Sequence, residues 1–353
     1  MESQRPSGDS SHDSTPHPPA NPRQAASSLA RVPFGHATLA ASLPGLLFGG
    51  SVALPRKEPP LILLTGASGT VGRALLPLLL AAGHDVRALV RDPRGLGRHR
   101  VDVQIALGDL ARLGDRHLQR QALRGVDIVI HLAAAIRDEP HARVEELNGL
   151  ATARLLRAAE RAEVDRFVFF SALGATEFQR TRFFRAKALS EKAVAESPLP
   201  TTIFAPSIVY DPGDRWVRLM KRLALLPAVP ISGPGRARFE PIWAHDVARC
   251  VVTSLERKEK KARYELVGPQ VLSYDEIVRA VARASHRQRP LIHVPLGLVH
   301  LTLVTLRRIF GEAVFATWEE AELMEVSMVG ERGTADVEAL GVEPLPVAAV
   351  LGA

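Results

Sequence analysis

The chain has 353 residues, of which 46% are hydrophobic and 24% charged, and a single cysteine, Cys250. Those figures exclude a small disulfide-stapled scaffold, a wholly disordered chain and a Cys-rich metal site, and they leave one large α/β domain or two coupled lobes. The net charge of +7 is spread along the sequence, and no nucleic-acid-reading motif accompanies it, so nucleic acid is not an expected partner.

Residues 1–33 are rich in Ser, Pro and His and carry neither a helical nor a strand period, which predicts disorder. Residues 37–55 are uncharged and long enough for a membrane span or signal core, yet Pro44, Gly45, Gly49, Gly50 and Ser51 interrupt any helix there. Residues 1–58 are therefore expected to be a leader that is dispensable for folding, either flexible or upstream of the true start, with a weak targeting segment as the alternative. The lone cysteine favours a reducing compartment, and a cytoplasmic location is expected.

The folded pattern begins with an apolar strand at 61–65, a glycine-rich turn, an apolar-periodic helix at 71–82 stopped by Gly83, and a second strand at 85–90. This is a strand-helix-strand crossover of about 30 residues. Pro77 falls inside the helix and is expected to kink it. Strands follow near 101–107, 127–132, 167–170 and 201–204, separated by helical patterns such as 144–162. Such alternation predicts a doubly wound parallel-sheet Rossmann fold of the α/β class over residues 59–210. After Pro206 the rhythm shifts to Pro/Gly loops and a helix near 247–255, so 211–353 is expected to be a smaller C-terminal lobe for substrate or partner, with some elements returning to the core. The charge run 256–263 reads as a solvated helix end and turn.

The turn from Thr65 to Gly72 spaces its glycines by three. Gly66 permits a tight exit from the strand, Gly69 lets the backbone approach a pyrophosphate, and Gly72 permits close helix-sheet packing, with the helix N-terminus facing the anion. Ser68, Thr70 and Val71 complete this cradle, and a nicotinamide dinucleotide is the expected ligand. At the end of the second strand Arg91 could pair with a 2′-phosphate, which favours NADP(H). Asp92, one residue on, offers the NAD(H) reading by accepting from ribose hydroxyls.

With these features, the sequence resembles the short-chain dehydrogenase/reductase superfamily in its extended and atypical branches. Supporting segments are Gly108-Asp109-Leu110, His131-Leu132-Ala133-Ala134, Asn148 and Pro206-Ser207-Ile208-Val209-Tyr210. Residues 243–248 and 264–269 look like the NmrA-like NAD(P)H-binding group and the dehydrogenase-like accessory subunit of respiratory complex I. The resemblance implies that Asp109 and Leu110 lie near the adenine, Ala133 and Ala134 beside the cofactor, and Pro206 to Ile208 near the nicotinamide. It also implies a Tyr-x-x-x-Lys pair, in which the lysine binds ribose and lowers the tyrosine pKa. Here Phe183 occupies the tyrosine position and Lys187 the lysine position. Asn148 is the matching helix asparagine, and Tyr210 is the nearest candidate to replace the missing phenol. At the exit of the fifth strand Ala172 aligns with the usual serine, and Ser171 reads as a turn residue.

Other constellations carry less. His245 and Asp246 are adjacent and point in different directions, so an element cap is expected. His293 and His300 lie two helical turns apart, too far for a shared ion, and no metal is expected. Residues 291–306 are apolar and followed by Arg307 and Arg308; a buried or lobe-packing helix is expected, with peripheral association at a membrane as the alternative. The function expected first is an NAD(P)H-binding protein without the usual phenol, acting in redox association or sensing. The alternative is an NADPH-dependent oxidoreductase or isomerase with a different proton donor, working on a small molecule. A protein partner is also compatible with the sequence.

Overall fold

In the strands at the centre of the chain, near-continuous apolar runs leave no polar face. Leu61–Thr65 is buried at four of five positions and Thr201–Pro206 at all six, as befits parallel strands covered on both sides. The structure is a computed structural model that describes residues 59–352 apart from 113, 115–117, 141 and 311–316. The expected leader, residues 1–58, lies outside the described residues.

The central sheet contains β1 (Leu61–Thr65), β2 (Asp85–Val90), β3 (Gln104–Leu107), β4 (Ile128–His131), β5 (Arg166–Phe170) and β6 (Thr201–Pro206). Three two-stranded ribbons follow in the chain, pairing β7 (Val209–Tyr210) with β10 (Ile242–Trp243), β8 (Val229–Ser232) with β13 (Leu291–Val294), and β9 (Arg238–Phe239) with β12 (Leu272–Ser273). The seventh strand of the main sheet is β11 (Lys261–Leu266), and the spatial order is β11-β6-β5-β4-β1-β2-β3, all parallel. The Rossmann fold is thereby present. Strand order reverses between β1 and β4, where Thr65 lies opposite His131, and a ligand crevice opens at that switch point.

One face of the sheet is covered by α1 (Thr70–Ala81) and the other by α2 (Ala151–Arg161) and α3 (Arg182–Glu196). The C-terminal lobe adds α4 (Arg215–Leu223), α5 (Ala244–Leu255), α6 (Tyr274–Ala284), α7 (Leu296–Phe310) and α8 (Trp318–Leu323). In this lobe Val217 and Met220 of α4 pack with Ile277, Val278 and Val281 of α6. α5 instead returns to the central sheet, where Val247 and Val251 share a core with Leu75 and Leu79 of α1.

Two expectations need correction. α1 runs unbroken through Pro77, because buried Leu75, Leu76 and Leu79 hold both of its halves against the sheet. The charge run splits: the helix ends at Leu255, but Lys261 and Arg263 belong to β11, where they are exposed alternately with Ala262 and Tyr264. Charges on an edge strand discourage pairing with another chain, and in the sequence they mask the strand.

Buried carboxylates tie the C-terminal segment down. Asp336 accepts from the Glu265 amide at 2.7 Å, Glu240 from Gly330 at 2.7 Å and Asp246 from Leu345 at 3.0 Å. Asp246→Ala strips the Leu345 amide of its buried acceptor and should cost on the order of 1–3 kcal/mol, read as a lower urea midpoint with unchanged slope.

Candidate functional site

At the cofactor end the structure brings the glycine turn to the exits of β1 and β4. Gly66 has φ +72°, and a Cβ there would lie 2.7 Å from the Ala133 nitrogen. A Cβ on Gly72 would lie 2.3 Å from the Gly66 carbonyl oxygen. Both glycines are therefore demanded by the fold itself. Gly69 differs: a Cβ there would meet only the Gly66 oxygen, at 3.2 Å, so the space beside it is open to a ligand. Gly69 caps α1 without a side-chain hydrogen bond, and the first turn of α1 contains no acid. Open amides at a helix N-terminus suit a pyrophosphate, and the cradle fits a dinucleotide.

Beneath the turn lies a chain of buried hydrogen bonds with a fixed direction. The Ala133 amide donates to Thr65 Oγ1 at 3.2 Å, and Thr65 Oγ1 lies 2.7 Å from His131 Nδ1. His131 Nε2 lies 2.9 Å from Thr152 Oγ1, which itself donates to the Asn148 carbonyl at 2.6 Å. Thr152 has spent its proton, so Nε2 carries the imidazole hydrogen and Nδ1 accepts from Thr65. Burial, helped by the nearby Lys187 charge, pulls His131 down to about 3, so the ring stays neutral.

Lys187 on α3 is 3% exposed; its Nζ donates to the Phe170 carbonyl at 2.6 Å and sits 4.9 Å from the Phe169 ring centre. Burial lowers its pKa to about 7, opposed by Glu191. Phe183 lies one helical turn before it on the cleft wall, edge-on to Phe184. Ser171, also on the wall, is buried, and its hydroxyl has no hydrogen-bond partner.

A cleft of about 1080 Å³ begins at this turn and runs into the C-terminal lobe. Its wall includes the expected residues Gly66, Gly69, Thr70, Val71, Gly72, Ala134, Lys187, Pro206 and Ile208. The remaining expected residues stand outside that wall. Ser68 is exposed at the rim beside Gly95, and Ala133 backs the turn. Arg91 forms an ion pair with Glu139, and the Glu139 hydrogen bond raises the guanidinium pKa. Asp92 is folded onto its own turn, accepting from the Arg94 amide at 2.9 Å. Asp109 accepts from the Ala111 amide at 3.1 Å, while Leu110 packs on the core below the sheet.

Two roles in the chemistry need correction. Asn148 is fully buried, and its amide is spent on residues 135 and 144: Oδ1 accepts from Ala135 N at 3.0 Å and Nδ2 donates to the Ala135 and Val144 carbonyls. It holds the loop after β4 and is not part of the cleft wall. Tyr210 is 1% exposed within the C-terminal core, its hydroxyl has no partner, and burial drives its pKa up. A phenol sealed there cannot replace the one missing at Phe183. His245 stacks on Trp243, while Asp246 turns inward to the Leu345 amide, so the adjacent pair do not face each other. Among the described residues no group of three His, Cys, Asp or Glu could hold a metal, and no helix is long and apolar enough to cross a membrane.

Sequence reasoning missed Ser171 as a wall residue, and it missed the inner half of the cleft. The second had a signal. Trp216, Leu219, Met220 and Leu223 recur at the three- and four-residue spacing of one helical face, and all four line the cleft.

Gly69→Ala should change stability by less than about 1 kcal/mol yet weaken dinucleotide binding at least about tenfold, measured by calorimetry. Gly72→Ala should cost about 1–3 kcal/mol or more in stability. Lys187 supplies a pH test. Its folded pKa lies below its unfolded value, so the unfolded chain binds more protons between about pH 7 and 10, and stability should rise across that window. Lys187→Met should flatten the rise, which is on the order of 1–4 kcal/mol in denaturant titrations of the cofactor-free protein.

Comparison with known proteins agrees with this geometry. The NAD(P)H-binding family matches residues 66–258, more than half of the chain. The mitochondrial NADH dehydrogenase (ubiquinone) 1 alpha subcomplex subunit 9 of Arabidopsis thaliana is 28% identical over 60% of this chain, and the match spans only 54% of that relative's length. Sterol demethylase protein B of Methylococcus capsulatus is 30% identical over 67% of this chain and 78% of the relative. Thermus thermophilus UDP-glucose 4-epimerase, solved with NAD, shares the fold with a TM-score of 0.55 at 22% identity, covering 67% of this chain and 86% of that one. The chain thus belongs to the NAD(P)H-binding family, on a Rossmann fold.

Proposed function

We propose that the protein is an NADPH-dependent oxidoreductase that presents its cofactor to a second molecule held by the C-terminal lobe. One observation carries this reading: the cleft does not stop at the dinucleotide cradle but continues past Lys187 and Ser171 into a second compartment. At about 1080 Å³ it exceeds the usual range of about 300–1,000 Å³ for a single-ligand site. A protein that merely stores a dinucleotide has no use for that second space.

When bound, the nicotinamide supplies or accepts a hydride. The chain's own residues do the rest. Lys187, tethered to the Phe170 carbonyl, would donate to the ribose, and Pro206 and Ile208, on the cleft wall, would stand beside the nicotinamide. Phe183 has no proton to give. Ser171 has a buried, free hydroxyl on the wall and is positioned to hold a substrate oxygen, with the proton coming from water or from the substrate itself.

NADP(H) is favoured over NAD(H) because an arginine, Arg91, directly follows β2, where an acid would hold the ribose hydroxyls. Arg91 is paired with Glu139, and a 2′-phosphate would displace that carboxylate. Arg91→Ala should reduce NADPH affinity about tenfold or more while leaving NADH affinity within about twofold. Glu139→Gln removes the competitor and should tighten NADPH. Equal loss of both coenzymes in Arg91→Ala would refute the assignment.

The phenylalanine at position 183 and the likeness to a complex I subunit support a second reading, in which the cofactor is held without turnover. Oxidation of NADPH against carbonyl and quinone acceptors separates the two. Turnover by the parent supports the oxidoreductase, and Phe183→Tyr should raise kcat at least about tenfold by restoring the acid. NADPH binding with no turnover on any acceptor supports the holding role.

A further inference from the structure

The inner half of the cleft differs chemically from the cradle. α4 contributes Trp216, Leu219 and Leu223, α7 contributes Val299 and Leu303, and Met324 follows α8. Three of the chain's four methionines, Met220 among them, lie on the wall, and thioethers adapt to apolar bodies of variable shape. Even the Tyr274 hydroxyl is turned to the Met220 sulfur, at 3.9 Å. The charged wall groups of the C-terminal lobe are engaged: Asp214 caps α4 through the Val217 amide at 2.6 Å, and Arg215 lies 3.8 Å from Glu320. A sugar nucleotide or a peptide would bury polar groups every few atoms against a wall that is mainly carbon, with Ser232 and Thr302 as its few uncharged polar side chains on that side, and most of those groups would go unpaired.

The mouth has the same character. Leu298 lines the compartment and is still 55% exposed, and further along α7 Leu301 and Ile309 are 63% and 67% exposed. The helix along the compartment thus turns apolar side chains to the cavity and also leaves three large ones in solvent, beside His300, Thr305 and Arg308. We infer that the inner compartment binds the apolar body of a lipid, a molecule with a long hydrocarbon body and a single oxygen function directed toward Ser171 and Lys187. This deepens the proposed function and rests on it for the identity of the substrate end, whereas the binding itself depends only on the cavity.

The experiment uses the full chain, with and without saturating NADPH, titrated with a long-chain methyl ketone brominated along its chain. Bromine quenches nearby indoles, and Trp216 is on the wall. Saturable quenching is expected, with UDP-glucose giving none and failing to displace the ketone. Trp216→Phe should retain the ketone in equilibrium dialysis while losing most of the quenching. Leu219→Asn should weaken retention about tenfold. Leu303→Asn serves as a second variant if the first does not fold. NADPH binding in calorimetry combined with no saturable ketone binding overturns the lipid assignment and leaves the cofactor reading intact. Ketone binding without NADPH binding does the reverse. Displacement by UDP-glucose also overturns the lipid assignment.

Discussion

The exits of β1 and β4 come so close that no side chain fits between them. A methyl group on Gly66 would press on the Ala133 nitrogen, and one on Gly72 would overlap the Gly66 carbonyl. These two contacts pin the start of α1 against the strand ends and aim its uncapped amides into the crevice. The hydrogen-bond chain from Ala133 through Thr65, His131 and Thr152 to the Asn148 carbonyl braces the same place from below. Burial keeps His131 neutral, so the floor of the site holds its pattern of donors and acceptors across the ordinary pH range.

The remainder of the site is built on that rigid end, with a different kind of wall. The cofactor end is fixed by backbone geometry, which allows few alternatives. The inner compartment is assembled from α4, α7, α8 and the short ribbons, whose side chains are large, apolar and, in the methionines, conformationally soft. The two halves are joined by the C-terminal segment. It is held to β11 by the carboxylate of Asp336, to the loop between β9 and β10 by Glu240 and to α5 by Asp246, each accepting one backbone amide. Directional bonds set the frame where a charged dinucleotide fits. Non-directional contacts line the inner space.

Legibility in the sequence followed the locality of the physics. The strand, turn and helix from β1 to β2 could be read because spacing, apolar run and glycine placement all lie within thirty residues. Lys187 and Phe183 were picked out through the resemblance to a Tyr-x-x-x-Lys pair, whose two members stand one helical turn apart. β11 was hidden, since an edge strand can carry Lys261 and Arg263 outward and then reads like a solvated turn. Tyr210 was misjudged because its sequence neighbours, Pro206 to Val209, do line the cleft, while the two-residue strand β7 turns the ring into the core. Ser171 could not be ranked by spacing either. Its significance is that its hydroxyl is buried without a partner, which only the packed structure reveals.

Phenylalanine at position 183 changes what a lysine at 187 has to do. Where a phenol is present, a nearby ammonium lowers its pKa, and that work requires a permanent charge. Here no phenol is present, and burial leaves Lys187 near the midpoint of its titration at neutral pH. Charged or neutral, the amine can donate to the Phe170 carbonyl and keep at least one further N–H for a ribose hydroxyl. The tether to Phe170 fixes the amine relative to the exit of β5, and Ser171 is the next residue along that exit. On the proposed function, this one side chain sets the distance between the dinucleotide and the buried, unpartnered Ser171 hydroxyl. On that reading the lysine serves geometry in both of its protonation states, and acid-base work, where the reaction requires it, falls to water or to the second molecule.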